Sequence, residues 1–207
     1  MSGIISQNVG RTSGLVKPVA AGGGAWTLIK TLTASADSDL SFVDGTDDVV
    51  LDSTYPIYVF KFINIHPETD TADFTAGFRD GSTAYDATKT TTTFYAYHNE
   101  ADGVTGLGYA SHDMAQGTGF CQIGGDAAGA DNDQCFSGYM HLFSPSDTTF
   151  VKHFMVNMSN LSEADYVVNE RTAGYCNVTA AIDAVQFKFD TGNIDAGKIK
   201  LYGIGDS

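Results

Sequence analysis

The sequence predicts an all-β protein, an antiparallel β-sandwich of jelly-roll-like type with an extended N-terminal arm. Three observations predict it. Apolar residues recur with a period of two in one segment after another, helical signals are weak throughout, and turn residues punctuate the apolar runs at short intervals. The composition agrees: of 207 residues, 23 are Gly, 12% are aromatic and only 17% are charged. With 43% hydrophobic residues the chain has material for one real core, and a chain of this length buries about 70% of its unfolded surface.

Residues 1–25 read as an extended arm, because they show no sustained period and end in the triplet Gly22-Gly23-Gly24, a hinge before the domain at 26–207. WTLIKTLT (26–33) and DLSFVD (39–44) alternate, the second ending in the turn Asp44-Gly45. YPIYVFKFINI (55–65) is the strongest strand, β-branched or aromatic almost throughout, with Pro56 at its beginning because proline cannot donate to a ladder. ADFTAGF (72–78) and STAYDAT (82–88) flank Arg79-Asp80-Gly81 and read as a hairpin. TTTTFYAYH (90–98) is a Thr- and aromatic-rich strand. The stretch from Asn99 to Gly119 reads as a surface excursion.

GFCQIGG (119–125) is a short strand before the acidic loop DAAGADNDQ (126–134). CFSGYMHLFSP (135–145) and TFVKHFMVNMS (149–159) are partners across Ser146-Asp147. DYVVNERTAGYCNV (165–178), AVQFKFD (184–190) and KIKLYGI (198–204) complete about ten strands; Val185, Phe187 and Phe189 share one face, as do Ile199 and Leu201.

Lys and Arg total 11 against 25 Asp and Glu, a net charge of −14. Such a surface repels phosphate, which argues against a broad nucleic-acid footprint or docking on anionic lipid. No apolar run reaches the ~18 residues of a membrane helix, and the first 26 residues lack the pattern of a signal peptide. Cys121, Cys135 and Cys176 fit no metal-ligand spacing and read as reduced thiols of a protein made in cytoplasm; a Cys121–Cys135 bridge is the alternative.

No constellation points to catalysis, and the chain is read as a non-enzyme needing no cofactor. His66, His98, His112, His141 and His153 are scattered, although His141 and His153 fall on neighbouring strands. There is no nucleophile elbow, and the glycines at 22–24 are followed by neither a helix signal nor Lys-Ser/Thr. Two acidic loops offer hard oxygen ligands for Ca²⁺: Asp126, Asp131 and Asp133 in one, and Asp44, Asp47, Asp48 and Asp52 in the other. Neither matches an EF-hand loop, and turn-making is the alternative use of such Asp residues. Tyr85, Tyr95, Tyr97, Tyr109 and Tyr139 could form an aromatic platform for sugars or simply pack across strands.

The phrases DSTYPIYVFKFINIHPETD (52–70), TTTTFYAYHNEADG, TTFVKHFM, AIDAVQFKFDTGNIDAGKIKLYGI and the opening MSGIISQNVGRTSGLVKP resemble a family of small structural proteins of tailed phages of marine and freshwater bacteria, including cyanophages. The similarity runs from end to end; it is most specific in YPIYVFKFINIHP and in the closing phrase, where Thr191 stands in place of the family's Ser. The resemblance implies a virion protein with a jelly-roll-like sandwich. A capsid decoration (cement) protein is the first expectation, a homotrimer on the outer shell contacting the major capsid protein and its own copies. Arg11 and Lys17, the arm's only basic residues, would grip the shell. The alternative is a tail-fibre or adhesin module binding host-surface glycan through Tyr85, Tyr95, Tyr97 and Tyr109.

Overall fold

The computed structural model describes residues 26–125 and 128–205. The expected arm, with Arg11 and Lys17, lies outside the described residues, as does Asp126. Twelve strands and no helix are found among them: β1 (Trp26–Asp37), β2 (Leu40–Val43), β3 (Ile57–Pro67), β4 (Phe74–Arg79), β5 (Lys89–Asn99), β6 (Thr105–Tyr109), β7 (Cys121–Gln122), β8 (Phe136–Phe143), β9 (Lys152–Leu161), β10 (Tyr166–Cys176), β11 (Ala184–Phe189) and β12 (Ile194–Ile204). They form two antiparallel sheets of unequal width, β1-β12-β3-β8-β9-β10-β5-β6 and β2-β11-β4-β7. The fold is the expected all-β sandwich.

The alternation read from the sequence becomes the core. Val185, Phe187 and Phe189 of β11 and Ile199 and Leu201 of β12 are buried. Phe187 is the hub of an aromatic cluster, with ring centroids 5.1 Å from Phe62, 5.2 Å from Phe60, 6.1 Å from Phe74 and 6.3 Å from Phe42. Together with Phe78–Phe154 at 4.8 Å and Phe74–Phe136 at 5.9 Å, these contacts join the narrow sheet to β3, β8 and β9. The inner face of β10, β5 and β6 therefore extends beyond the aromatic seam.

Three local readings are corrected. Residues 82–88 form no strand: β4 is buried almost end to end and both its edges are taken, by β11 and β7, so nothing is left for a hairpin partner. Asp86 makes only an isolated bridge to Phe78. The excursion at 99–119 contains β6, whose glycines hide the apolar alternation that marks a strand. The strand expected over 119–125 shrinks to two residues, Cys121 and Gln122.

A bulge decides which side chains of β3 face inward. Register shifts between Phe62 and Ile65, opposite shifts around Ala196, bring both Phe62 and Ile65 into the core despite their odd spacing. Asn64 adopts φ 49° and Gly197 φ 121°, where an added Cβ would collide with the Asn64 carbonyl oxygen.

Two lysines are inward and fully buried. Lys89 Nζ donates to the Gly119 and Thr118 carbonyls at 2.6 and 3.4 Å, and Lys152 Nζ to that of Val178 at 3.1 Å. Burial pushes both ammonium groups below their usual range, and each ties a loop to the wide sheet.

Candidate functional sites

The four tyrosines of the expected sugar platform separate. Alternate inward positions on the one strand β5 bring Tyr95 and Tyr97 side by side, centroids 5.9 Å apart and planes 34° apart. Tyr109 pairs with Phe94 on the opposite, outward face, where its hydroxyl donates to Asp113 at 2.7 Å. Tyr85 stands apart against Phe120, at 6.3 Å. Tyr139 is also outward, beside His141 at 5.2 Å. The structure adds a residue that sequence reasoning missed: Tyr166, at the start of β10, whose ring meets Tyr97 edge-on at 5.8 Å and 67°.

The edge strand β6 makes this arrangement feasible. Gly108 is the cross-strand partner of Tyr95 and Gly106 that of Tyr97. A Cβ on Gly106 would lie 2.6 Å from the Tyr97 hydroxyl, and one on Gly108 3.0 Å from that of Tyr95. Each ring thus lies across a glycine instead of standing up from the sheet, a known way of covering edge glycines. The signal was legible as the pair Gly106 and Gly108 spaced two apart, like Tyr95 and Tyr97.

Above the two rings is a groove of about 400 Å³ lined by Tyr95, Tyr97, Tyr166, Val104, Ser162 and Glu163. A smaller recess of about 160 Å³ shares Tyr95 and is walled by Ser111, His112 and Glu170. Glu170 is 1% exposed, opposite Tyr95 on β10. Its Oε1 lies 3.5 Å from His112 Nε2; both atoms are buried and neither has a hydrogen-bond partner. Burial works against a charge on His112, but the Glu170 carboxylate outweighs it and holds the imidazole above its usual value.

The outward face of the wide sheet has a different chemistry. One row of cross-strand partners runs Thr31, Lys200, Lys61, Tyr139, Asn157, Arg171, Phe94, Tyr109. The next runs Leu28, Tyr202, Val59, His141, Met155, Ala173, Thr92. Neither contains a carboxylate, in a chain of net charge −14. Leu28, Phe94, Tyr109 and Met155 are exposed, as is Leu107 at 76%. Lys61 and Lys200 are directly paired, with Lys198 two residues from Lys200, an unfavourable placement of like charges unless an anion faces them. Lys61 Nζ sits 4.5 Å over the Trp26 ring.

The remaining expected sites resolve as follows. Asp131 and Asp133 are exposed loop residues, and the Asp131 carbonyl faces His66 Nε2 at 3.1 Å. In the other acidic loop Asp44 accepts from the Leu51 N–H at 2.8 Å and Asp52 from that of Thr54 at 2.7 Å, the turn-making use of Asp. Among the described residues no three His, Cys, Asp or Glu side chains come together as a metal site. His141 and His153 do lie on paired strands, but each faces an aromatic ring.

All three cysteines are free, so the Cys121–Cys135 bridge is not formed. Cys135 shares a shallow pocket with His66 and Asp195. His66 presents Nε2 to the Asp131 carbonyl and Nδ1 to Asp195 at 3.6 Å, and burial pushes the Cys135 thiol up. With Nε2 on the Asp131 carbonyl and the thiol pushed up by burial, the two are poorly set for thiolate chemistry.

Compared with known protein families, curated proteins and solved structures, the chain matches none.

Proposed function

We propose that the chain is a structural protein of a tailed-phage virion, a capsid decoration protein that stabilises the outer shell as a homotrimer. The observation that carries this reading is the outward face of the wide sheet. It is apolar and aromatic, bears Lys61, Lys200 and Arg171 in one row, and has no carboxylate in either central row. Exposed apolar area of this kind marks a contact surface, and its charge complements an acidic partner. We take that partner to be the shell lattice. The phrases YPIYVFKFINIHP and TGNIDAGKIKLYGI, read as resembling phage structural proteins, suggest the same assignment.

The test is the copy number of the chain per virion, by quantitative mass spectrometry against the major capsid protein. Hundreds of copies support the shell; a handful to a few tens assign it to the tail. In a reconstitution assay, Lys61→Glu with Lys200→Glu abolishes attachment while leaving the fold intact. Removing residues 1–25 tests the arm: the truncated sandwich folds, and full decoration by it would refute a gripping role for Arg11 and Lys17. A second reading, a tail-fibre module that binds host glycan, is favoured by the tyrosine groove.

A further inference from the structure

We propose that the groove over Tyr95, Tyr97 and Tyr166 binds a neutral hexopyranose unit of a glycan. The site rests on its own residues and holds whether the chain sits on the shell or the tail.

Three features point to a sugar. First, the floor is flat and aromatic. Tyr95 and Tyr97 lie across Gly108 and Gly106, which turns ring faces rather than ring edges toward the groove, and Tyr166 stands as a side wall. The electron-rich face of an aromatic ring attracts the weakly positive C–H groups on the apolar face of a pyranose. Second, the rim supplies hydroxyl partners. Glu163 and Ser162 line the groove, and a carboxylate accepts from two sugar hydroxyls at once.

Third, the adjoining recess holds a long, buried ion pair whose facing atoms make no hydrogen bond. Glu170 Oε1 and His112 Nε2 face each other at 3.5 Å without a hydrogen bond, on the wall next to Tyr95. A buried carboxylate is costly unless its acceptors are filled. A hydroxyl reaching past the edge of Tyr95 would donate to Glu170. The groove volume of about 400 Å³ is in the range of small-ligand sites.

The charge of the site selects among sugars. Glu163 stands on the rim in a chain of net charge −14, so uronic and other acidic sugars are repelled. The occupant is therefore a neutral ring.

Saturation-transfer NMR on the full chain, with the methyl glycosides of glucose, galactose, mannose and N-acetylglucosamine as probes and methyl glucuronide as the acidic control, tests the assignment. We expect transfer to the ring C–H protons of at least one neutral probe and none to the glucuronide. Tyr97→Ala weakens binding about two- to tenfold, the worth of one aromatic contact. Gly106→Ala is the second variant: it retains every aromatic and carboxylate but forces the Tyr97 ring out of plane, and it should weaken binding at an unchanged melting temperature. Absence of transfer from all four neutral probes, binding that survives both variants, or equal binding of the glucuronide overturns the proposal. None of these results bears on the copy number that tests the shell reading.

Discussion

Replacing Phe62 by Ala tests the packing that carries the fold. Phe62 is 2% exposed, and its ring packs edge-on against Phe74 at 5.4 Å and Phe187 at 5.1 Å. Truncating a buried Phe to Ala costs about 3–5 kcal/mol, combining lost transfer energy with the cavity left behind. Two edge-to-face partners add to the loss, since such pairs contribute about 0.5–1.5 kcal/mol each beyond area. The expected cost is thus in the upper half of that range, about 4–5 kcal/mol. In urea, with a slope of about 2–3 kcal/mol/M, the midpoint should fall by about 1.3–2.5 M with the slope unchanged. Ile63, one residue on and 39% exposed on the other face, is the internal control, and Ile63→Ala should cost less than ~1 kcal/mol. A loss under ~1 kcal/mol for Phe62→Ala would mean instead that the faces of β3 are exchanged.

Two histidines should give the stability of the chain a maximum near the usual imidazole value of 6.5. His112 is held above that value by Glu170, so its contribution is complete below pH 6.5 and is lost as pH rises through the folded-state value. Burial and then Lys61 lower His141, so its charging penalises the folded state and stability grows as pH rises toward 6.5. Unfolding free energies measured across pH 5–9 should lose the alkaline limb in His112→Gln and the acid limb in His141→Gln; identical profiles for all three proteins would reject the assignment. Thiol alkylation at pH 8 should modify Cys135 first, because burial pushes Cys121 up to about 11 and Cys176 up to about 12. Mass spectrometry of the partly modified protein checks that order, and early labelling of Cys176 would contradict its burial.

Much of the fold was legible because period-two alternation is a local property: a strand with one buried face must write that face at every second residue. Val185, Phe187 and Phe189, or Ile199 and Leu201, could be assigned to a core without knowing their partners. Where the local pattern was absent or misleading, the reading failed for identifiable reasons. Gly106 and Gly108 conceal a strand, since the residues that fill their space, Tyr97 and Tyr95, come from the neighbouring strand. Segment 82–88 had turn chemistry on one side and some alternation, but β4 had already bonded to β11 and β7.

The all-β class, most strand-forming segments, the acidic charge and the aromatic content follow from residue identity and near neighbours. Which tyrosines meet depends on how the strands pair. Tyr95, Tyr97 and Tyr166 come together, while Tyr109 is sent to the outward face and Tyr85 to a different ring. Tertiary packing also determines that the bulge beside Asn64 turns Ile65 inward, that Lys89 and Lys152 are buried, and that Glu170 faces His112 from a distant segment. The physical reason is the same in each case. Register and sheet order are long-range choices made by the packing of the whole, and a site assembled across strands exists only once those choices are made.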